Sequence, residues 1–212
     1  MKTINCFIPY ADAQQVQATV DGLRQNALVS KIFLLATDAN AAAVEGCEVI
    51  NIDALNSSAT MKKIAAAAEG DYTLFYTKYN NLVMGYLALE RMVRLATDSK
   101  AAMVYADNYQ VVEGKKSNAP VIDYQFGSLR DDFNFGSVLF FCTKALKAAA
   151  AEIDVEYTAA GLYDLRLKVS RQGDLVHINE YLYTEIALPV ATEGESHFSY
   201  VDPKNRGVQI EM

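Results

Sequence analysis

The sequence predicts an α/β domain: a three-layer sandwich with a mostly parallel central sheet and a mixed edge. Three observations predict it. Apolar runs alternate with amphipathic helical stretches through the first half of the chain, the rhythm that gives parallel strands joined by right-handed crossovers. The runs at 3–9, 31–36 and 72–76 are nearly continuous rather than alternating, as strands buried on both faces are. Each run also stops abruptly: at Pro9-Tyr10-Ala11-Asp12, at Thr37-Asp38-Ala39-Asn40, and at Thr77-Lys78-Tyr79-Asn80. Strands end so when their carboxyl ends open at a surface, and ligands of open α/β sheets sit in the crevice beyond those ends.

The elements follow in order. After the strand at 3–9, Asp12 is placed to cap a helix over 13–26, whose Val16, Val20 and Leu23 form one apolar stripe. Strands are expected at 31–36 and 48–52, then a helix over 58–69 closed by Gly70. The fourth strand lies within 70–81. A helix is expected over 85–97 and a fifth strand at 101–105, continuing as an extended arm over 109–112. Residues 114–120 read as a mobile polar loop and 121–134 as irregular chain. A strand at 136–142 precedes a helix over 144–151 capped by Thr143. Residues 162–172 read as a helix closed by Gly173, followed by strands at 175–178 and 181–186. Asp202-Pro203 reads as a helix start that the chain cuts off, so residues 1–200 are assigned to the α/β domain. Residues 201–212 are assigned to the beginning of a C-terminal helix belonging to a longer protein.

Composition narrows the classes. A formal net charge of -7 gives no support for binding a nucleic-acid backbone, which needs clustered Lys and Arg. It still permits a small anionic ligand held by a helix N-terminus. No apolar run approaches the roughly 20 residues of a membrane helix, and Met1-Lys2 leads straight into a strand rather than a signal peptide. Cys6, Cys47 and Cys142 are dispersed in apolar runs and read as reduced residues of a cytoplasmic protein. His177 and His197 make no familiar metal spacing with them.

Taken in order, several segments resemble the family 2 glycosyltransferases, which have the GT-A fold. Phe7-Ile8-Pro9-Tyr10 is similar to the opening strand, and Ile32-Phe33-Leu34-Leu35-Ala36-Thr37-Asp38 to the second strand with its acidic end. Ala66-Ala67-Ala68-Glu69-Gly70-Asp71-Tyr72-Thr73-Leu74-Phe75 resembles the segment entering the strand that carries the metal motif. Gly85-Tyr86-Leu87-Ala88-Leu89-Glu90-Arg91-Met92-Val93 resembles the helix after it. Tyr163-Asp164-Leu165-Arg166-Leu167-Lys168 with Gly173 is similar to the segment around the catalytic base, and His177-Ile178-Asn179-Glu180-Tyr181-Leu182-Tyr183 to the closing strand.

The resemblance implies a nucleotide-diphosphate sugar as donor, an acceptor hydroxyl, a carboxylate base, and a divalent cation (Mn or Mg) offsetting the leaving charge. The sequence departs from it at two places. The Asp-x-Asp position of the family aligns with Thr77-Lys78-Tyr79, which supplies no carboxylate for a hard cation. Lys78 either offsets diphosphate charge in the metal's place or is a solvated strand-end residue. The acidic pair holding the base aligns with Gly161-Leu162. Asp164 remains nearby, on a different side of the helix, as a weak substitute base or as a carboxylate favourable to the helix N-terminus.

The resemblance also assigns Pro9, Tyr10 and Asp38 to the nucleotide, Asp38 having an alternative as the cap of a short following helix. Tyr79 and Asp107 fall at strand ends beside the same crevice. Asp107 is the one carboxylate there that partly replaces the lost pair, or else a turn former. Asp131 and Asp132 are adjacent, so on extended chain they point to opposite faces and do not share a metal. The expected function is transfer of a sugar to an acceptor hydroxyl, in the service of surface polysaccharide. The alternative is a catalytically degenerate binding or regulatory module of the same fold. A nucleotidyltransferase lacks support, because no phosphate-cradling glycine loop is present.

Overall fold

The computed structural model describes residues 2–38, 41–130, 132–188 and 210–211. The first apolar run becomes β1 (Ile4–Tyr10), buried along its whole length. Asp12, in extended conformation, accepts the Gln15 N–H and starts α1 (Ala13–Arg24). β2 (Val29–Ala36), β3 (Glu48–Asn51), α2 (Ser58–Ala67) and β4 (Tyr72–Tyr76) follow, with Ser57 capping α2 through the Thr60 N–H. Beyond them lie β5 (Asn81–Met84), α3 (Ala88–Ser99), β6 (Met103–Val112), β7 (Lys115–Ala119), β8 (Val138–Cys142), α4 (Thr143–Ala151), α5 (Gly161–Val169) and β9 (Leu175–Ile186).

The sheet runs β3-β2-β1-β4-β8-β6-β9-β5, with β7 on the flank of β6. β3, β2, β1 and β4 are parallel, β8 is antiparallel to β4, and β9 pairs in parallel with β6. β5 and β7 are antiparallel additions, so the mostly parallel sheet with a mixed edge is the observed one. Alternation along the strands separates two cores. Ile4, Cys6, Ile8, Leu74, Val104 and Phe140 meet Val16 and Val20 of α1 and Leu89 and Met92 of α3. Phe7, Phe33, Phe75, Tyr105 and Phe141 meet Met61 and Ile64 of α2, Leu146 of α4 and Leu165 of α5. Helices α1 and α3 thus cover one face and α2, α4 and α5 the other, giving the three layers. Each fully buried large side chain contributes roughly 1.5–3 kcal/mol relative to exposure.

Several expectations are corrected. Residues 114–120 are not a loop: Glu113 and Gly114 both have positive φ, the geometry of a two-residue hairpin turn, and β7 pairs back on β6 from Val112↔Lys115 onward. Strand β5 was not expected, and the helix after it begins at Ala88 because Leu87 turns the chain in the left-handed region. The two strands expected at 175–178 and 181–186 form one strand, β9, whose register against β6 shifts around Asp107. Gly70 does not close α2, which ends at Ala67. Its smallness serves a close approach to β1, where a Cβ would stand 3.0 Å from the Thr3 carbonyl oxygen. Thr143 is the first residue of α4, not its cap, and its hydroxyl bonds to Thr73 instead. Helix α5 ends at Val169, short of Gly173. The extension of the fifth strand over 109–112 is present as the outer part of β6. The helix start expected at Asp202-Pro203 lies outside the described residues, as does Asp131, while Ile210 and Glu211 are helical.

Candidate functional site

The parallel strands β1, β2 and β4 end together at one rim of the sheet. Pro9 and Tyr10 are the last residues of β1, with Tyr10 packed into the core under α1. Asp38 is exposed two residues beyond β2, and its carbonyl accepts the Ala41 N–H; residues 41–44 are not helical, so Asp38 caps no helix there. Thr77 continues from β4 and binds Ser137 twice, its N–H at 2.9 Å and its hydroxyl at 3.2 Å from the Ser137 carbonyl. Lys78 is half-buried. The Tyr79 carbonyl accepts from the Gln15 amide at 2.8 Å, and its ring packs against the second core. The fold therefore brings Pro9, Tyr10, Asp38, Lys78 and Tyr79 to one edge. Thr77, Lys78 and Tyr79 offer hydroxyls and a cation, a donor set that does not fit a divalent metal ion. No group of three His, Cys, Asp or Glu side chains is arranged to hold one among the described residues.

Asp107, expected at a strand end, lies inside β6, which continues to Val112, and is engaged in a different way. β8 separates β4 from β6, which puts the two strands about 10 Å apart. The Asp107 side chain is buried, and its Oδ1 accepts the Val121 N–H at 2.8 Å and lies 3.0 Å from His177 Nε2. The other nitrogen of that ring, Nδ1, lies 2.6 Å from Asp123 Oδ1. Parallel pairing of β6 and β9 sets His177 opposite Tyr105, and the two rings stack at 5.0 Å. The Tyr105 hydroxyl donates to the Ile122 carbonyl at 2.9 Å and accepts the Tyr124 N–H at 2.7 Å. Burial pushes this phenol up to about 12, the Tyr124 N–H acting against it and the Asp123 and Asp107 carboxylates adding to it. Residues 121–124 are thus pinned to the sheet at every position, and the chain beyond them carries Phe133 and Phe135, which pack with Tyr124 and Tyr105.

The N-terminal end of α5 packs on the start of α2. Gly161 lies against the start of α2, where the Leu162 N–H donates to the Asn56 carbonyl. Asp164 is mostly buried, and its Oδ1 is held by Lys168 one turn on. It therefore sits within an intrahelical ion pair. The N-cap residue Ala160 has no side-chain acceptor; the Glu211 carboxylate holds the segment leading into the helix, accepting N–H bonds from Thr158, Ala159 and Ala160 at 2.6–3.1 Å. Burial raises the Glu211 pKa, and the three N–H bonds more than offset it, so its carboxyl is held below the usual range.

A second buried polar group lies under Thr77 on the opposite face. Ser137 donates to Glu185, and the Tyr183 hydroxyl accepts the Ser137 N–H at 2.9 Å. Tyr76, the last residue of β4, is fully buried beside them, its hydroxyl without a hydrogen-bond partner among the described residues. Burial and the Glu185 charge drive this phenol well above its ordinary value.

The sequence signalled the strand ends but not His177, Asp123 or Glu185. Nothing local pairs them with Asp107 or Ser137; they meet only because β9 inserts beside β6.

Strand order, helix placement and rim define a glycosyltransferase-like α/β fold of the GT-A type. Solved structures of TarS from S. aureus, residues 1–349, share it. One has a TM-score of 0.63 at 9% identity, over 86% of this chain and 60% of that one. The complex of the same protein with UDP-GlcNAc gives 0.60 at 12% identity, over 92% and 60%. The UDP complex gives 0.59 at 10%, over 88% and 61%. The chain therefore spans about 60% of the length of these structures. No protein-family model matches the sequence, and no curated protein does.

Proposed function

We propose that this domain binds a nucleotide-diphosphate sugar at the rim formed by β1, β2 and β4 and transfers the sugar to an acceptor hydroxyl. The observation that carries this reading is the convergence of Asp38 and Lys78 at the carboxyl ends of parallel strands. The sheet shares its fold with a protein solved with UDP-GlcNAc bound. Asp38 is exposed where a nucleoside would lie, and Lys78 is a fixed positive charge at the position where family 2 enzymes carry a metal-binding carboxylate. Family 2 membership, a role in surface polysaccharide synthesis and a cytoplasmic location are finer parts of the same proposal.

Calorimetric titration with UDP-GlcNAc, with and without Mn²⁺, tests the reading. The expected result is saturable binding that Mn²⁺ does not strengthen. Absence of binding to UDP- and GDP-sugars alike would overturn it.

A degenerate binding module of the same fold is the second reading. It is favoured by one observation: Gly161, one of the two positions aligned with the family's acidic pair, has no room for a side chain against the backbone at the start of α2. Binding without any release of UDP would decide for it.

A further inference from the structure

We propose that Asp123 is the base that takes the proton from the acceptor hydroxyl, with His177 and Asp107 as its positioning residues. The assignment rests on the donor-binding reading above.

Three side chains form a line from the interior to the surface. Asp107 is 3% exposed, His177 6% and Asp123 83%. Both imidazole nitrogens are occupied by carboxylate oxygens, at 3.0 and 2.6 Å. The ring cannot turn away, because it stacks on Tyr105. An exposed aspartate on irregular chain is ordinarily mobile. Here the backbone around Asp123 is held on both sides: Asp107 takes the Val121 N–H, and Tyr105 takes the Tyr124 N–H and donates to the Ile122 carbonyl. A carboxylate with that support is preorganised, which is what a base in group transfer needs.

Its place is also suitable. Asp107 lies on β6, about 10 Å across β8 from the end of β4 where the donor is placed, and Asp123 stands outward from it. Near Asp123 the same segment exposes Ile122 and, at 86%, Phe126 on the turn that follows. An exposed ring next to a fixed carboxylate suits an acceptor with one apolar face and several hydroxyls, as a sugar has.

In the step, the acceptor O–H bond breaks and its proton passes to Asp123. The freed oxygen pair forms the bond to the anomeric carbon. The anomeric carbon–phosphate oxygen bond breaks, and its electron pair leaves with the nucleoside diphosphate.

The test compares the wild type with Asp123→Asn, Asp123→Ala and His177→Gln, using UDP-GlcNAc with water as the acceptor. Binding is read by calorimetry and turnover by UDP release. Asp123→Asn is expected to keep its Kd within about twofold and to lose about 100-fold in UDP release. Formate is expected to restore part of the rate to Asp123→Ala and none to Asp123→Asn. His177→Gln is expected to lower kcat about tenfold with KM unchanged. UDP release by Asp123→Asn at the wild-type rate overturns the assignment. So does a wild type that binds the donor yet releases no UDP above the spontaneous rate. Absence of donor binding to the wild type overturns the donor reading, and the base assignment with it.

Discussion

A Cβ built on Gly161 would stand 2.1 Å from the backbone nitrogen of Ser58 and 2.4 Å from the Ser57 carbonyl carbon. Gly161 is helical, so its backbone conformation excludes no residue; the neighbouring main chain does. The first turns of α2 and α5 interlock here, through the Ser58 N–H on the Tyr157 carbonyl and the Leu162 N–H on the Asn56 carbonyl. Gly161→Ala is therefore expected to separate two helices held by backbone hydrogen bonds and to cost about 3 kcal/mol, seen as a lowered denaturant midpoint with an unchanged slope. Gly161→Asp is expected to destabilise at least as much, since the same backbone atoms stand in the way of its Cβ. A Gly161→Ala protein of wild-type stability would show that α2 yields at this contact.

Glu211 holds the chain that leads into α5. Three N–H groups at the N-terminal end of α5 converge on its carboxylate, and both the hydrogen bonds and the helix dipole favour the charged form. Its folded pKa is depressed below the ordinary 4.5. The sign follows: the contribution is present at neutral pH and is lost as pH falls through the folded pKa. Glu211→Gln is expected to cost about 1 kcal/mol at pH 7, the solvent-screened contribution of hydrogen bonds to a charged acceptor. The gap between the two proteins should close as pH is lowered from about 6 to 3. Chemical denaturation across that range measures it, and a gap that stays constant with pH would sink the charge-based account.

What the sequence disclosed follows from local physics. Continuous apolar runs locate the buried strands, and Asp12 caps α1 through the Gln15 N–H. The rim is legible because strand ends announce themselves at Pro9-Tyr10, Thr37-Asp38 and Thr77-Lys78. β5 was hidden because Leu82-Val83-Met84 is too short an apolar run to separate from the helix after it. The hairpin over β6 and β7 was hidden by its polarity, since β7 is an exposed edge strand of Lys, Ser and Asn that pairs with β6 along its backbone and sets Lys116 over the Tyr109 ring. The Asp107–His177–Asp123 line was out of reach because His177 is far from both partners in sequence. It joins them only through the β6–β9 register. Glu211 on α5 is the same kind of contact: tertiary, between groups with no shared local pattern.

Lys78 tests the donor reading directly. A lysine at the diphosphate would act as a point charge that needs no metal. Lys78→Ala is expected to weaken UDP-GlcNAc binding about tenfold, about 1.4 kcal/mol. EDTA is expected to leave wild-type binding unaltered. If Lys78→Ala binds as the wild type does while EDTA abolishes binding, the charge is supplied by a cation held elsewhere.

Tyr76 offers the last test, of the buried polar group under Thr77. Its hydroxyl is enclosed beside Glu185, Tyr183 and Ser137, yet it makes no hydrogen bond among the described residues, whereas the Tyr183 hydroxyl accepts the Ser137 and Val138 N–H groups. A buried hydroxyl without a partner is a desolvation cost with no compensating bond. Tyr76→Phe removes that cost while keeping the ring that packs in the core under α1 and α3. It is expected to stabilise the protein by up to about 1 kcal/mol, read as a raised denaturant midpoint. Tyr183→Phe, at a hydroxyl that two backbone N–H groups use, is expected to destabilise by about 1–3 kcal/mol. If Tyr76→Phe instead loses stability on the scale of Tyr183→Phe, the Tyr76 hydroxyl has a partner such as an ordered water. The group around Glu185 would then be a hydrated network reaching up to the end of β4.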